Sequence, residues 1–253
     1  MAVPSQVPVR FPNGLSTDYP YGPLANFGQP HPFDYHYFAD DFDILHGTYT
    51  QTKTGNGTIA NTAVDGGRIL FTTNSSTPLT TDIASLQLPA AGFKYAAGKK
   101  FHFMARIQVS DAVNAAFLAG MIQTTATPFT VTDGIYFSKA TGSAANITLN
   151  CVSGSVNVGQ LVIPTTAYTL ANNTDIDLAF SIDRNGVVYA YVGSDLIVQP
   201  PNNSPAGQVR GPVGSVTPSS FTAALLNMTL ALQSGTATSK TMQADFVLTS
   251  KER

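Results

Sequence analysis

The stretch IDLAFSIDRNGVVYAYVG, residues 176–193, decides the fold. Ile176, Leu178, Phe180 and Ile182 alternate with polar or small residues, the period-two pattern of a strand with one face buried. Asp183-Arg184-Asn185-Gly186 then supplies a turn, because Asn-Gly tolerates the positive φ that a tight hairpin needs. Val187, Val188, Tyr189 and Tyr191 return as the partner strand, and Gly193-Ser194-Asp195 turns toward a third. The unit is a β-meander.

Outward from this meander the same grammar repeats. Short alternating or apolar runs, separated by Gly, Asn, Asp and Ser, predict strands over 42–45, 57–61, 68–72, 83–87, 100–109, 116–123, 134–138, 146–152, 156–163, 176–183, 187–192, 196–199, 225–233 and 241–249. No segment has helical periodicity, and one helical turn is expected at 219–224, after Pro218. About fourteen strands at this spacing predict an all-β chain, an antiparallel two-sheet sandwich of concanavalin-like or jelly-roll type.

Residues 1–38 read differently from the domain at 39–253. They hold seven of the chain's 16 prolines together with Phe11, Tyr19, Tyr21, Phe27, Phe33, Tyr35, Tyr37 and Phe38. Proline at this density removes backbone donors and fixes φ, so neither a helix nor a central strand is expected there. Disordered tails are poor in aromatic residues, so this extended arm is expected to lie on a surface, its own or a neighbour's.

Charged residues make up 11% of the chain, against roughly 25% in ordinary domains, and Thr, Ser, Ala, Asn and Gly take their places. A net charge of −2 offers no electrostatic footprint for nucleic acid, and Lys94, Lys99 and Lys100 read as a solvated strand entrance. No apolar run approaches the length of a membrane span. The start Met1-Ala2-Val3-Pro4 has no basic and no apolar region of a secretory signal, so a cytoplasmic origin is expected. The sequons at Asn56, Asn74, Asn146, Asn172, Asn202 and Asn227 then follow from composition. Cys151 is the sole cysteine, which rules out an intrachain disulfide and suggests a buried, inert thiol.

ADDFDILHG (39–47), FHFMARIQV (101–109), FSIDRNGVVYAYVG (180–193) and MQADFVLT (242–249) together resemble the concanavalin A-like lectin/glucanase sandwiches. In that family an opening segment pairs near the last strand and a comparable hairpin lies late in the chain. The whole chain, arm included, is also similar to accessory head proteins of tailed bacteriophages. The first resemblance implies fold, and the second implies a virion protein.

Chemistry is sparse. Glucanases of the resembling family carry a Glu-x-Asp-x-(x)-Glu strand, but this chain has one glutamate, Glu252, expected to be solvated, so the acid/base pair of a glycosidase is absent. The family's frequent Ca²⁺ site near the first and last strands implies Asp41 or Asp43 with Asp245 as candidate ligands, though their spacing forms no recognisable loop. The alternative is that Asp40, Asp41 and Asp43 face water. His31, His36, His46 and His102 have no metal spacing, and no Gly-x-Ser-x-Gly elbow or phosphate-binding glycine loop occurs. Sugar sites favour Trp, which is absent. Tyr136, Tyr168, Tyr189 or Tyr191 could substitute on a concave sheet, although core tyrosines with hydroxyls at the edge are the favoured explanation.

These observations lead to the expectation of a non-enzymatic capsid decoration or cement protein on the virion exterior, needing no cofactor. Its partners would be the major capsid protein and further copies of itself, a trimer being the guess from threefold capsid positions. Phe11, Tyr19, Tyr21, Phe27, Phe33, Tyr35 and Tyr37 would form the arm's interface. The alternative is a glycan-binding module on a phage head or tail fibre, and a degenerate glucanase is the weaker rival.

Overall fold

The meander's first hairpin folds as β11 (Ile176–Ile182) and β12 (Val188–Gly193), paired antiparallel with Phe180 opposite Ala190. The Asp183 carboxylate accepts from the Asn185 and Val187 amides, and Gly186 takes a φ of +81°, as the Asn-Gly turn requires. These details come from a computed structural model that describes residues 35–45, 47–62, 64, 67–74, 77, 79–142, 146–193 and 212–253.

Before the hairpin the chain forms β1 (Tyr35–Asp40), β2 (Thr50–Lys53), β3 (Thr58–Thr62), β4 (Arg68–Thr72), β5 (Ile83–Gln87) and β6 (Phe101–Val109). It continues through β7 (Ala115–Ile122), β8 (Gly134–Lys139), β9 (Thr148–Ser153) and β10 (Val156–Val162). After the hairpin come β13 (Gly214–Val216), β14 (Asn227–Ser234) and β15 (Thr241–Glu252). The described residues contain no helix.

Every pairing is antiparallel, and the strands form two sheets. One has eight strands in the order β13-β12-β11-β6-β15-β4-β3, with β1 also paired to β15. The other has seven, in the order β10-β9-β8-β7-β14-β5-β2. The long β15 runs beside β6 for nearly its whole length and changes partner on its other side. Residues 241–244 pair with β4, and residues 247–252 pair with β1. The change falls at a bulge between Ala244 and Phe246, which leaves Asp245 as the extra residue.

The core lies between the sheets and is built from alternate residues of the inner strands. Phe180 is its centre, stacked on Phe103 at 5.4 Å and on Phe101 at 6.3 Å, with Phe137 of the opposite sheet at 6.3 Å. All four rings are essentially without solvent exposure. Offset ring pairs add to the area term, so this cluster carries a large share of the sheet-to-sheet attraction.

Most strand expectations hold to within two residues. Segment 42–45 does not form a strand. Phe42 adopts a φ of +57° and buries its ring completely. Its amide donates to Asp40 Oδ1 at 2.8 Å and its carbonyl accepts from Asn61 Nδ2 at 2.7 Å. These bonds and ring burial hold a conformation that bulky residues avoid. Residues 219–224 are irregular rather than helical, and the expected strand at 196–199 lies outside the described residues. Tyr35–Phe38, read as the end of the arm, belong to β1 and so to the sheet. Proline counting hid this strand, because the last proline before it is Pro32.

Truncating Phe180 to Ala should therefore lower unfolding stability by about 3–5 kcal/mol, the range for a fully buried ring that leaves a cavity. A urea titration followed by tyrosine fluorescence measures it, and a loss below about 1 kcal/mol would contradict the central role given to this ring.

Candidate functional site

Two broad faces could carry function, the outward sides of the two sheets. On the seven-stranded sheet the register brings Gln160, Asn150, Tyr136, Gly120, Thr229, Gln87 and Thr50 into one row across the strands. Gln160 Nε2 donates to Asn150 Oδ1 at 3.0 Å, and Asn150 Nδ2 donates to Ser138 Oγ at 2.9 Å. Gln87 Nε2 donates to Thr229 Oγ1 at 2.7 Å. The outward positions of this sheet, from Thr148 and Asn150 to Ser85 and Gln87, contain no carboxylate.

The middle of this face is filled by the protein itself. The connection between β7 and β8 is pinned at its base, where the Gln123 amide donates to the Asp133 carbonyl and the Asp133 amide to Gln123 Oε1. It folds back over the sheet. Phe129 and Val131 pack with Tyr136 against Leu118, Ile122 and Ala231, all outward residues. The Thr125 amide donates to Gln87 Oε1 at 3.2 Å, and Asn227 Nδ2 donates to Thr124 Oγ1 at 3.2 Å. Gly120 sits beneath this plug, and a methyl there would lie 2.5 Å from Tyr136 Cα and 2.6 Å from the Ile135 carbonyl oxygen. What remains open is the half towards β10, where Gln160 and Asn157 are exposed and Tyr136 is half-buried.

The other tyrosines are dispersed. Tyr189 and Tyr191 lie on the outward face of the eight-stranded sheet with Met104, Ala179 and Phe246, and Tyr168 is half-buried against the core. Burial raises the pKa of Tyr136 and Tyr191 above the ordinary phenol value, so both are neutral hydrogen-bonding groups. Among the arm candidates, Tyr35 is half-buried and Tyr37 exposed on β1, whereas Phe11, Tyr19, Tyr21, Phe27 and Phe33 lie outside the described residues, as do His31 and His46.

Several carboxylates among the described residues are committed to structural bonds. Glu252 is not a freely solvated group: its Oε1 accepts from Arg184 Nη2 at 2.6 Å and its Oε2 from the Lys100 amide at 3.0 Å. Arg184 lowers its pKa, the wrong direction for a general acid. Asp245 faces Arg68 at 3.5 Å and Arg106 at 3.9 Å, and these guanidiniums also hold Asp175 and Asp177 in bidentate pairs. Asp41 is half-buried and Asp43 exposed in the turn after β1. Among the described residues no three Asp, Glu, His or Cys side chains gather in a metal-binding group. His36 tilts against Phe93 at 4.6 Å, while burial holds the His102 pKa well below the usual imidazole value. Burial pushes Cys151 up to about 12, which keeps it a thiol.

A charged cluster that sequence reasoning missed lies where β6 passes into β7. Lys139 is buried, yet its Nζ donates to the carbonyls of Val113 at 2.8 Å, Ala115 at 3.2 Å and Ala140 at 3.0 Å. Nearby, Asp111 accepts from Lys240 Nζ at 2.8 Å and from the amides of Val113 and Asn114. Burial alone would raise the Asp111 pKa, but these bonds outweigh it and hold the carboxyl far below the usual range. The signal for Lys139 was present: Ile135, Phe137 and Lys139 alternate onto the inward face of β8.

No protein-family model and no curated protein matches the sequence. Solved structures do match. A prokaryotic β-1,3-1,4-glucanase (lichenase) from a mouse hindgut metagenome aligns with a TM-score of 0.54 at 13% identity, over 84% of this chain and 98% of that one. The carbohydrate recognition domain of Emp47p aligns with a TM-score of 0.54 at 10% identity, over 87% and 97%. The CBM2 module of the evolved Dit of Lactobacillus casei BL23 phage J-1 aligns with a TM-score of 0.50 at 10% identity, over 86% and 96%. The chain therefore has the concanavalin A-like, jelly-roll sandwich fold shared by lectins and glucanases.

Two substitutions test the local physics. Gly120→Ala should cost about 1–3 kcal/mol, since the obstructing atoms include main chain and the strands must separate; an unchanged melting temperature would contradict the close approach. Asp111 has a folded pKa below its unfolded value, so its contribution is present above about pH 4 and declines as pH falls towards the folded value. Asp111→Asn should accordingly melt earlier at pH 7 and show a shallower decline in melting temperature between pH 5 and pH 2.5 than the unaltered chain.

Proposed function

We propose that the protein is a non-enzymatic structural component of a tailed-bacteriophage virion, a decoration or cement protein that holds the capsid exterior. The observation that carries this reading is the state of the face where chemistry could occur. Among the described residues the outward strand positions of the seven-stranded sheet bear no carboxylate, and the centre of that face is filled by Phe129 and Val131. The single glutamate is tied to Arg184. A glycosidase needs two carboxyl groups flanking the scissile bond, and this arrangement offers neither the pair nor an open cleft.

Adhesion needs contact area and a firm attachment instead. The proline- and ring-rich residues 1–34 join the sandwich through β1, whose six residues pair with residues 247–252 of β15. Each ring buried on a capsid neighbour would contribute on the order of 2 kcal/mol, and symmetric copies multiply that through avidity. The phage module among the fold neighbours supports this setting at the level of fold alone.

A second reading is favoured by one observation, the Gln160–Asn150–Ser138 ladder beside Tyr136 on the open half of that face. Amides, a hydroxyl and a ring edge suit a neutral polyhydroxylated ligand, so a glycan-binding module on a head or tail fibre is the alternative.

Removing residues 1–34 leaves β1 whole and separates the two readings. The truncated chain should keep its β-type circular dichroism but no longer co-sediment with heads depleted of the protein. Undiminished co-sedimentation would defeat the adhesive-arm reading. If the full chain binds no heads while a glycan array gives a signal that Tyr136→Ala abolishes, the second reading replaces the first.

A further inference from the structure

A β-sheet edge exposes a row of unpaired amides and carbonyls, and proteins guard such edges with short strands, lysines, prolines, bulges or covering segments. Four edges of this sandwich are guarded. β13 has three residues. β10 carries a bulge between Asn157 and Gly159, and its Val158 carbonyl accepts from the Ser219 amide. β2 has four residues and ends in Lys53. At β3, the Asn61 side chain bonds both the Phe42 carbonyl and the Leu45 amide, which draws segment 42–45 to that strand.

Among the described residues β1 has none of these devices: it is six residues long, YHYFAD, without proline, lysine or bulge, and its one described strand partner is β15. The pairing pattern identifies its free groups. The Glu252 amide donates to the Lys100 carbonyl on the β6 side, so Glu252 turns away from its partner Tyr35. In an antiparallel pair these orientations alternate, so His36, Phe38 and Asp40 bond β15 while Tyr37 and Ala39 point their amides and carbonyls outward. Both outward residues are exposed, Tyr37 to 48%.

We propose that β1 is a dimerisation edge, to which a second copy of the chain adds its own β1 antiparallel, so that the eight-stranded sheet continues across two protomers. The occupant follows from self-complementarity. A twofold axis at Phe38 sets Tyr37 of each copy opposite Ala39 of the other, which satisfies all four outward amides and carbonyls of each strand pair in matching donor–acceptor couples. The same register sets the Tyr37 ring over a small neighbour and His36 across from Asp40 of the other copy, an opposite-charge cross-strand pair whenever the imidazole is protonated. This inference depends on the sandwich alone and stands apart from the virion reading.

The test uses the full chain. Light scattering across a concentration series should give twice the chain mass at high concentration, with protection of the Tyr37 and Ala39 amides from hydrogen exchange appearing in step. Ala39→Pro removes an outward amide and leaves the β15 bonds of His36, Phe38 and Asp40 in place. Ala39→Lys adds a charge at the edge. Both should give the single-chain mass with the circular dichroism of the unaltered protein. A unaltered chain that stays at single mass at every concentration overturns the proposal, as does a dimer that survives both substitutions. An unaltered chain that dimerises but does not bind heads would count against the virion reading and leave this one standing.

Discussion

The pairing of β15 with β6 is the interaction on which the rest of the eight-stranded sheet depends. It joins residues distant in sequence, Met242 with Val109 at one end and Lys251 with Phe101 at the other. On the far side of β6 lies β11, and with it the hairpin and the ring stack around Phe180. On the far side of β15 lie β4 and β1 in succession. The bulge at Asp245 makes that succession possible. It interrupts the register between the two partners and places a carboxylate at the gap, where Arg68 and Arg106 neutralise it. A buried carboxylate without such partners would be costly, so the arginines are part of what makes the change of partner tolerable.

Several ionised groups among the described residues serve as joints: Asp111 with Lys240 and the turn amides, Arg184 with Glu252, Arg68 and Arg106 with three aspartates. The outward face of the seven-stranded sheet is occupied at its centre by the chain's own loop. What remains open there is neutral, built of amides and hydroxyls. A surface of this kind recognises shape and hydrogen-bonding pattern, and its contacts lose little to salt.

How much of this was legible in the sequence depended on whether a local pattern carried it. The β11–β12 hairpin was, because alternation and Asn-Gly act within a few residues. Strands 68–72 and 83–87 were for the same reason. Phe42 was not, since its left-handed backbone is held by Asp40 and by Asn61, the latter 19 residues away. β1 was masked by the prolines before it, although Tyr35-His36-Tyr37-Phe38 is favourable strand sequence on its own. Asp245 was legible only as a carboxylate, because sequence does not show the two guanidiniums that reach it from other strands. The plug over Gly120 was invisible for a related reason: only the tertiary arrangement shows that Phe129 turns back onto the sheet rather than into its core.

The attachment of β1 has a mechanical consequence. Tension transmitted through the residues before Tyr35 along the strand axis loads the β1–β15 bonds together, in shear. Tension at right angles opens them singly, beginning at Tyr35, where the Arg253 side chain meets the Tyr35 carbonyl at only 3.5 Å. The joint between sandwich and N-terminal segment is therefore directional, strong when the segment is drawn out along the sheet and weak when it is lifted from it.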